Sequence, residues 1–298
     1  MPETTVEIRS PDGDWTTLLG PSKGDRGVFL GEDIEGLFDD EPSEGIYNSH
    51  AFQRGATFGG VRIDKKDVTF DALITNTADA TWQENYSAWR RSWSLKRKTQ
   101  MWVETEGSRR WIDVRLAKHM RVVAKIDPNK NEYGVVSMFC VAEDPSFLEP
   151  DATDSWVSTV DTLGGGTTSG TVTVSNPTDN DLWLKWVLQA YPGAVYTLPD
   201  FSFGDDRFER ATADAGRRIV MPPLLAGEHI RVDTDEEALQ VVSNIDTQVY
   251  IRMKGVSFLY PVPAGTKKLE LPVSVSKAPA GVGVQVRCPR KWSSGMGL

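Results

Sequence analysis

His50, His119 and His229 are the only imidazoles in the chain, and they lie far apart. None stands at helical or strand spacing from another, and none neighbours a cysteine. No local pair therefore starts a zinc site, which needs three or four converging ligands. A hydrolase nucleophile needs a tight turn and a nearby base. No Gly-x-Ser-x-Gly occurs, and Gly166-Thr167-Thr168-Ser169-Gly170 has the wrong spacing. Asp127-x-Asn129-x-Asn131 matches the start of a calcium loop, but Glu132 replaces the required glycine and Met138 stands where the closing glutamate belongs. A hairpin turn whose Asp and Asn side chains satisfy nearby amides is the simpler reading. Paired carboxylates occur at Asp39-Asp40, Asp205-Asp206 and Asp233-x-Asp235-Glu236-Glu237. A glycosidase would need two such groups facing each other across a cleft, whereas acidic runs in polar turns are ordinarily just solvated. No glycine-rich phosphate cradle is present either. The expectation is a protein with no catalytic, metal or cofactor site.

Charge narrows the class further. The chain has 298 residues, 39% of them hydrophobic, and a net charge of −9. That is enough apolar material for two ordinary cores and the wrong field for gripping phosphate backbones or anionic membranes. No apolar run is long enough for a membrane helix. Met1 to Ser10 lacks a basic region followed by an apolar stretch, so no secretory signal is expected. Cys140 and Cys288 sit far apart in strand-like stretches, which predicts two buried free thiols.

The elements that would position any site are mostly strands. Val61-Arg62-Ile63 and Val68 to Ile74 alternate around a polar turn, and Asp39 to Gly45 reads as an exposed loop. One helix is predicted over 81–98. Thr81-Trp82-Gln83-Glu84 is a capping box, and Trp82, Tyr86, Trp89 and Trp93 fall on one face. Arg90, Arg91, Lys96, Arg97 and Lys98 would crowd its end, where cations suit the helix dipole. Such a stripe can stack on bases, but its spacing fits a face that seals a sheet. Two hairpins follow, around Glu106-Gly107-Ser108 and Asp127 to Glu132. The segment 149–170 reads as a linker with one strand-like piece near Trp156. Short strands at sandwich spacing fill 171–298, among them Thr171 to Val174, Leu182 to Leu188 and Gln248 to Arg252. The predicted class is mostly β: a β-rich domain over 1–148 with one amphipathic helix that seals a barrel or sheet, then a β-sandwich over 171–298.

Three features in this order resemble the distal tail protein family of long-tailed bacteriophages. They are the aromatic helix set in a β-rich first half, the exit Phe139-Cys140-Val141-Ala142-Glu143-Asp144-Pro145-Ser146-Phe147, and the ending. That ending runs from Tyr260-Pro261-Val262-Pro263-Ala264-Gly265 to Val284-Gln285-Val286-Arg287-Cys288-Pro289-Arg290-Lys291-Trp292. The resemblance implies a split β-barrel-like first domain that forms a homo-hexameric ring at the virion's tail tip, a galectin-like sandwich outside it, and synthesis in the host cytoplasm. It also implies a tail tube protein on one side, a tail-associated hub protein on the other, and DNA passing through the lumen without specific binding. Within such a ring the segments 20–32 and 36–60, with Phe29, Leu37 and Phe38, are candidates to clasp a neighbour. The alternative is a carbohydrate-binding adhesion module. Trp183, Trp186 and Trp292 would then stack on sugar, a role that competes with ordinary core packing.

Overall fold

Alternation decides the architecture. In the computed structural model, which describes residues 3–297, most strands bury every second side chain. The chain divides into two units: residues up to Glu149 together with those from Trp292 onward, and Pro150–Lys291.

In the first unit, β1 (Thr5–Arg9) and β2 (Trp15–Leu19) form a hairpin, followed by β3 (Val28–Glu35), β4 (Ser43–Asn48), β5 (Thr57–Ile63) and β6 (Lys66–Thr75). After helix α1 (Trp82–Arg91) come β7 (Thr99–Glu104), β8 (Arg109–Leu116), β9 (Arg121–Val123), the one-turn helix α2 (Pro128–Asn131), β10 (Tyr133–Ala142) and β11 (Phe147–Val157). One antiparallel sheet runs β2-β1-β7-β8. A second runs β3-β6-β10-β9. The end of β8 crosses onto the second sheet, where Leu116 lies opposite Cys140. Between β2 and β3 the Gly24 amide donates to Thr17 O at 3.0 Å, which draws the outer strands together. The wall is barrel-like and encloses Val6, Ile8, Phe70, Met101, Ile112 and Met138. β4 and β5 form a separate two-stranded ribbon.

Helix α1 starts where the capping box places it. Thr81 Oγ1 accepts from the Glu84 amide at 3.4 Å, and Glu84 accepts from the Thr81 amide at 2.8 Å. Trp82 and Trp89 are buried, and Tyr86 stacks on Trp82 at 5.0 Å. Trp89 donates to Met138 Sδ at 3.4 Å and meets the Phe70 ring edge-on. The helix is shorter than the sequence predicts, ending at Ser92 rather than Lys98. Ser92 O accepts from Thr99 Oγ1 at 2.8 Å, which turns the chain into β7. Trp93 enters the core from beyond the last turn, and the basic run 96–98 belongs to the connection.

A buried arginine fastens the C-terminal segment to this unit. Arg110 on β8 is almost fully enclosed. Its Nε donates to Glu149 at 3.1 Å, and its Nη1 donates to the carbonyls of Ser294 at 2.9 Å and Gly297 at 3.0 Å. Its guanidinium lies 3.7 Å from the Trp292 ring centroid.

The second unit adds β12 (Thr167–Asn176), β13 (Lys185–Leu188), β14 (Val195–Pro199), β15 (Arg218–Val220), β16 (Ile230–Asp233) and β17 (Val241–Ser243). Helix α3 (Val249–Arg252), β18 (Thr266–Ser276) and β19 (Gly283–Trp292) complete it. One sheet runs β17-β16-β13-β19, with β11 beside β19; the other runs β12-β18-β14-β15. Their inner faces share one core, including Trp186, Tyr196, Val232, Val273 and Val284, so the unit is a sandwich.

Two readings are corrected here. The stretch 149–170 is not a free linker. It holds most of β11 and the start of β12, and the turn between them is pinned by Ser158 and Thr162, whose amides donate to Val282 O and Ala278 O at 2.8 Å each. Its polar composition is that of a strand with one solvated face. The segment 248–252 is a helical turn and not a strand, because Arg252 is drawn back to the buried Glu228.

Two stability effects are expected. Arg110→Ala leaves Glu149 and two carbonyls unpaired and should cost about 3 kcal/mol. Denaturant titration checks this, and limited proteolysis should trim residues 293–297 first; an unchanged transition midpoint would sink the assignment. Burial alone would raise the Glu228 carboxyl, but hydrogen bonds from Arg252, Thr247 and the Leu225 amide overcome it and hold it at about 2. Its ordinary value is 4.5, so its contribution is complete above that pH and is lost as pH falls toward 2. Up to about 3 kcal/mol depends on it. Stability measured from pH 5 to pH 2 should fall less steeply in Glu228→Gln than in the wild type.

Candidate assembly surfaces

The β4–β5 ribbon exposes apolar side chains that a monomer has no use for. Tyr47 is 65% exposed and Phe58 58%, and their rings meet at 5.8 Å. Val61 and Ile63 are exposed on the same face, and Ile46 is exposed on the other. Arg62 pairs with Glu44 at 3.1 Å and Asp64 at 2.9 Å, which ties the ribbon near its base. A contiguous apolar surface on an isolated two-stranded ribbon marks a contact site.

The residues singled out from sequence for that role lie elsewhere. Leu37 is completely buried and Phe38 packs partly against the first core, so neither is free to reach a neighbour. They anchor the chain just before the ribbon. Lys66 helps there, its ammonium donating to Asp39 O at 2.5 Å and lying 4.9 Å from the Phe147 ring. Burial pulls the Lys66 ammonium below its ordinary range. Phe29 is half-buried and occupies the space a side chain at Gly24 would need. Segment 36–60, read as a loop, is largely this ribbon.

Trp186 belongs to the second core and Trp292 to the first, so both faces needed for sugar stacking are covered. Trp183 is half-buried. On the sandwich, Lys185, Arg231, Asp233 and Arg287 line a hollow of about 310 Å3. A tryptophan ladder lies on the first sheet, and no spacing within one strand announces it. Trp102 stacks on Trp111 at 4.7 Å and meets Trp15 at 5.5 Å, with the Arg109 guanidinium 4.9 Å from the Trp102 ring. Its signal was the opposed outward positions of β7 and β8.

Two of the acidic candidates, Asp205 and Asp127, are engaged structurally. Hydrogen bonds from Arg207 hold the Asp205 carboxyl below the usual range, and Arg207 also grips Asp181 at 2.8 and 2.9 Å. A carboxylate held so is a poor proton donor. Asp127 caps α2 by accepting from the Asn129 amide at 3.0 Å, and Glu132 takes a left-handed φ of 61°. Among the described residues no group of three or more His, Cys, Asp or Glu is placed to hold a metal. His229 Nδ1 accepts from the Ala190 amide at 3.2 Å.

No protein-family model matches the chain. Minor tail protein Gp27 of Mycobacterium phage D29 is 29% identical over a gapped alignment of 344 positions, covering 99% of both chains. Gp27 of Mycobacterium phage L5 is 27% identical over the same extent. The SPP1 Dit protein, a hub of the adsorption apparatus in phages of Gram-positive bacteria, superposes with a TM-score of 0.58 at 10% identity. That match covers 97% of this chain and 98% of Dit. The chain is similar along its whole length to phage minor tail proteins and carries the fold of the SPP1 Dit protein. A component of the activated phage P2 baseplate gives a TM-score of 0.51 at 13% identity, with the same coverage. Likeness to these proteins supports a structural role in the phage tail. Among its described residues no helix is long and apolar enough to cross a membrane.

Cys140 and Cys288 are free and buried. Burial pushes the Cys140 thiol up to about 12 and raises that of Cys288. Neither should react with a thiol-specific disulfide reagent at pH 8 until the tail protein is unfolded. Rapid labelling of the native chain would contradict this.

Proposed function

We propose that the protein is a non-enzymatic component of the tail tip. Six copies close into a ring at the distal end of the tail. The ring joins the tail tube protein to a tail-associated hub protein, and DNA leaves through its lumen. The observation that carries this reading is the match over both units to a distal tail protein, 97% of this chain against 98% of that one. The exposed ribbon supports it, because a ring of identical subunits needs surface that is apolar in the monomer. The charge of −9 supports a lumen that lets DNA slide past. The engaged state of Asp205 supports the absence of catalysis. A carbohydrate-binding role is the second reading, favoured by the charged hollow on the sandwich.

Imaging of isolated tails and sedimentation of the purified chain test the proposal. The expected result is a closed ring of six at the tail tip. Tyr47→Asp combined with Phe58→Asp should abolish the ring and leave the monomer's melting temperature within about 2 °C of wild type. A monomer in assembled tails, or millimolar binding of cell-wall sugars by a protein that never forms a ring, would favour the second reading.

A further inference from the structure

The sheet β3-β6-β10-β9 has two open edges, and they carry opposite charge. Among the described residues β3 pairs only with β6, and β9 only with β10. The β3 edge presents Glu32, Asp33 and Glu35, all exposed. Its pairing with β6 is irregular between Leu30 and Ile34, where Gly31, Glu32 and Asp33 stand against the single residue Asp71, with Gly31 close to its backbone. The β9 edge begins with exposed Arg121 and is followed by exposed Lys125. No ion pair engages Glu32, Asp33, Arg121 or Lys125 among the described residues. Apolar surface accompanies both edges. Val123 is 47% and Ile126 60% exposed, while Phe29, Leu30 and Ile34 are half-buried on β3.

We propose that the acidic β3 edge of one copy pairs with the basic β9 edge of the next, and that this contact links successive subunits of the ring. The inference rests on the ring reading above and names the surfaces that make it. Strand direction agrees. The sheet is antiparallel throughout, so β9 and an incoming β3 meet antiparallel as well. Charged edges commonly serve to prevent aggregation. Charges of one sign on both edges would do that. Opposite signs block β3 against β3 and β9 against β9 while leaving β3 against β9 open. The permitted contact is heterologous, the kind that closes a ring when its rotation allows. Exposed ion pairs are individually weak. They therefore choose partner and direction, and backbone hydrogen bonds with the flanking apolar side chains supply the holding.

Charge reversal in the full-length chain tests this. Glu32→Lys with Asp33→Lys makes both edges basic, and Arg121→Glu with Lys125→Glu makes both acidic. Each variant alone should need at least about tenfold more protein than wild type to assemble, read by sedimentation velocity. Mixed in equal amounts, the two should alternate and recover the wild-type mass. If the exchange at Asp33 disturbs this irregular stretch, the single changes Glu35→Lys and Lys125→Glu run the same experiment, with circular dichroism confirming the fold. Normal assembly of either variant alone overturns the pairing, and so does a mixture that stays monomeric. If wild type forms rings that reversal leaves untouched, only the edge pairing falls. If wild type is monomeric at every concentration, the ring reading falls with it.

Discussion

A guanidinium taken out of water must find its partners inside the protein, and Arg110 finds them in three places. Glu149 stands at the exit from the first unit, and the Ser294 and Gly297 carbonyls lie in the last residues of the chain. Leaving any of them unpaired costs more than a surface contact could return. The first unit is therefore completed by residues from both ends of the sequence. Trp292, lying against the same guanidinium, gives the returning segment a hydrophobic reason to dock.

This constraint marks the limit of what local pattern conveys. The α1 cap is a four-residue signal satisfied within those residues, so Thr81 and Glu84 announce themselves. Where α1 ends depends on Thr99 reaching back to Ser92, which no helical period contains. The basic residues 96–98 look like the last turn of a helix only because cations suit that place. The β11 strand reads as linker because Asp151, Thr153 and Ser155 are polar and its pairing partner, β19, lies far along the chain. The docking of residues 292–297 leaves no trace in their own composition.

The surfaces were harder to read than the cores. Ile46, Tyr47, Phe58, Val61 and Ile63 have the composition of an ordinary buried hairpin, and nothing local says that no second layer covers them. Leu37 and Phe38, flanked by acidic residues, look like the tip of a loop, yet the fold buries them as its anchor. In the sandwich, Trp186 follows the alternation of β13 inward, as strand position alone would suggest. The charges themselves, Glu32 and Asp33 against Arg121 and Lys125, stand in the sequence. That β3 and β9 form opposite edges of one sheet emerges only from the pairing of β6 with β10.

The chain leaves the first unit after Glu149 and re-enters it at Trp292, and both residues contact Arg110. Exit and return thus share one doorway. A segment bounded in this way behaves as a cassette. Recombination could replace everything between the two crossing points with another module whose ends lie close together, and the barrel-like wall would need no rethreading. The sandwich could then change in sequence or size without disturbing how the last residues of the chain dock on Arg110.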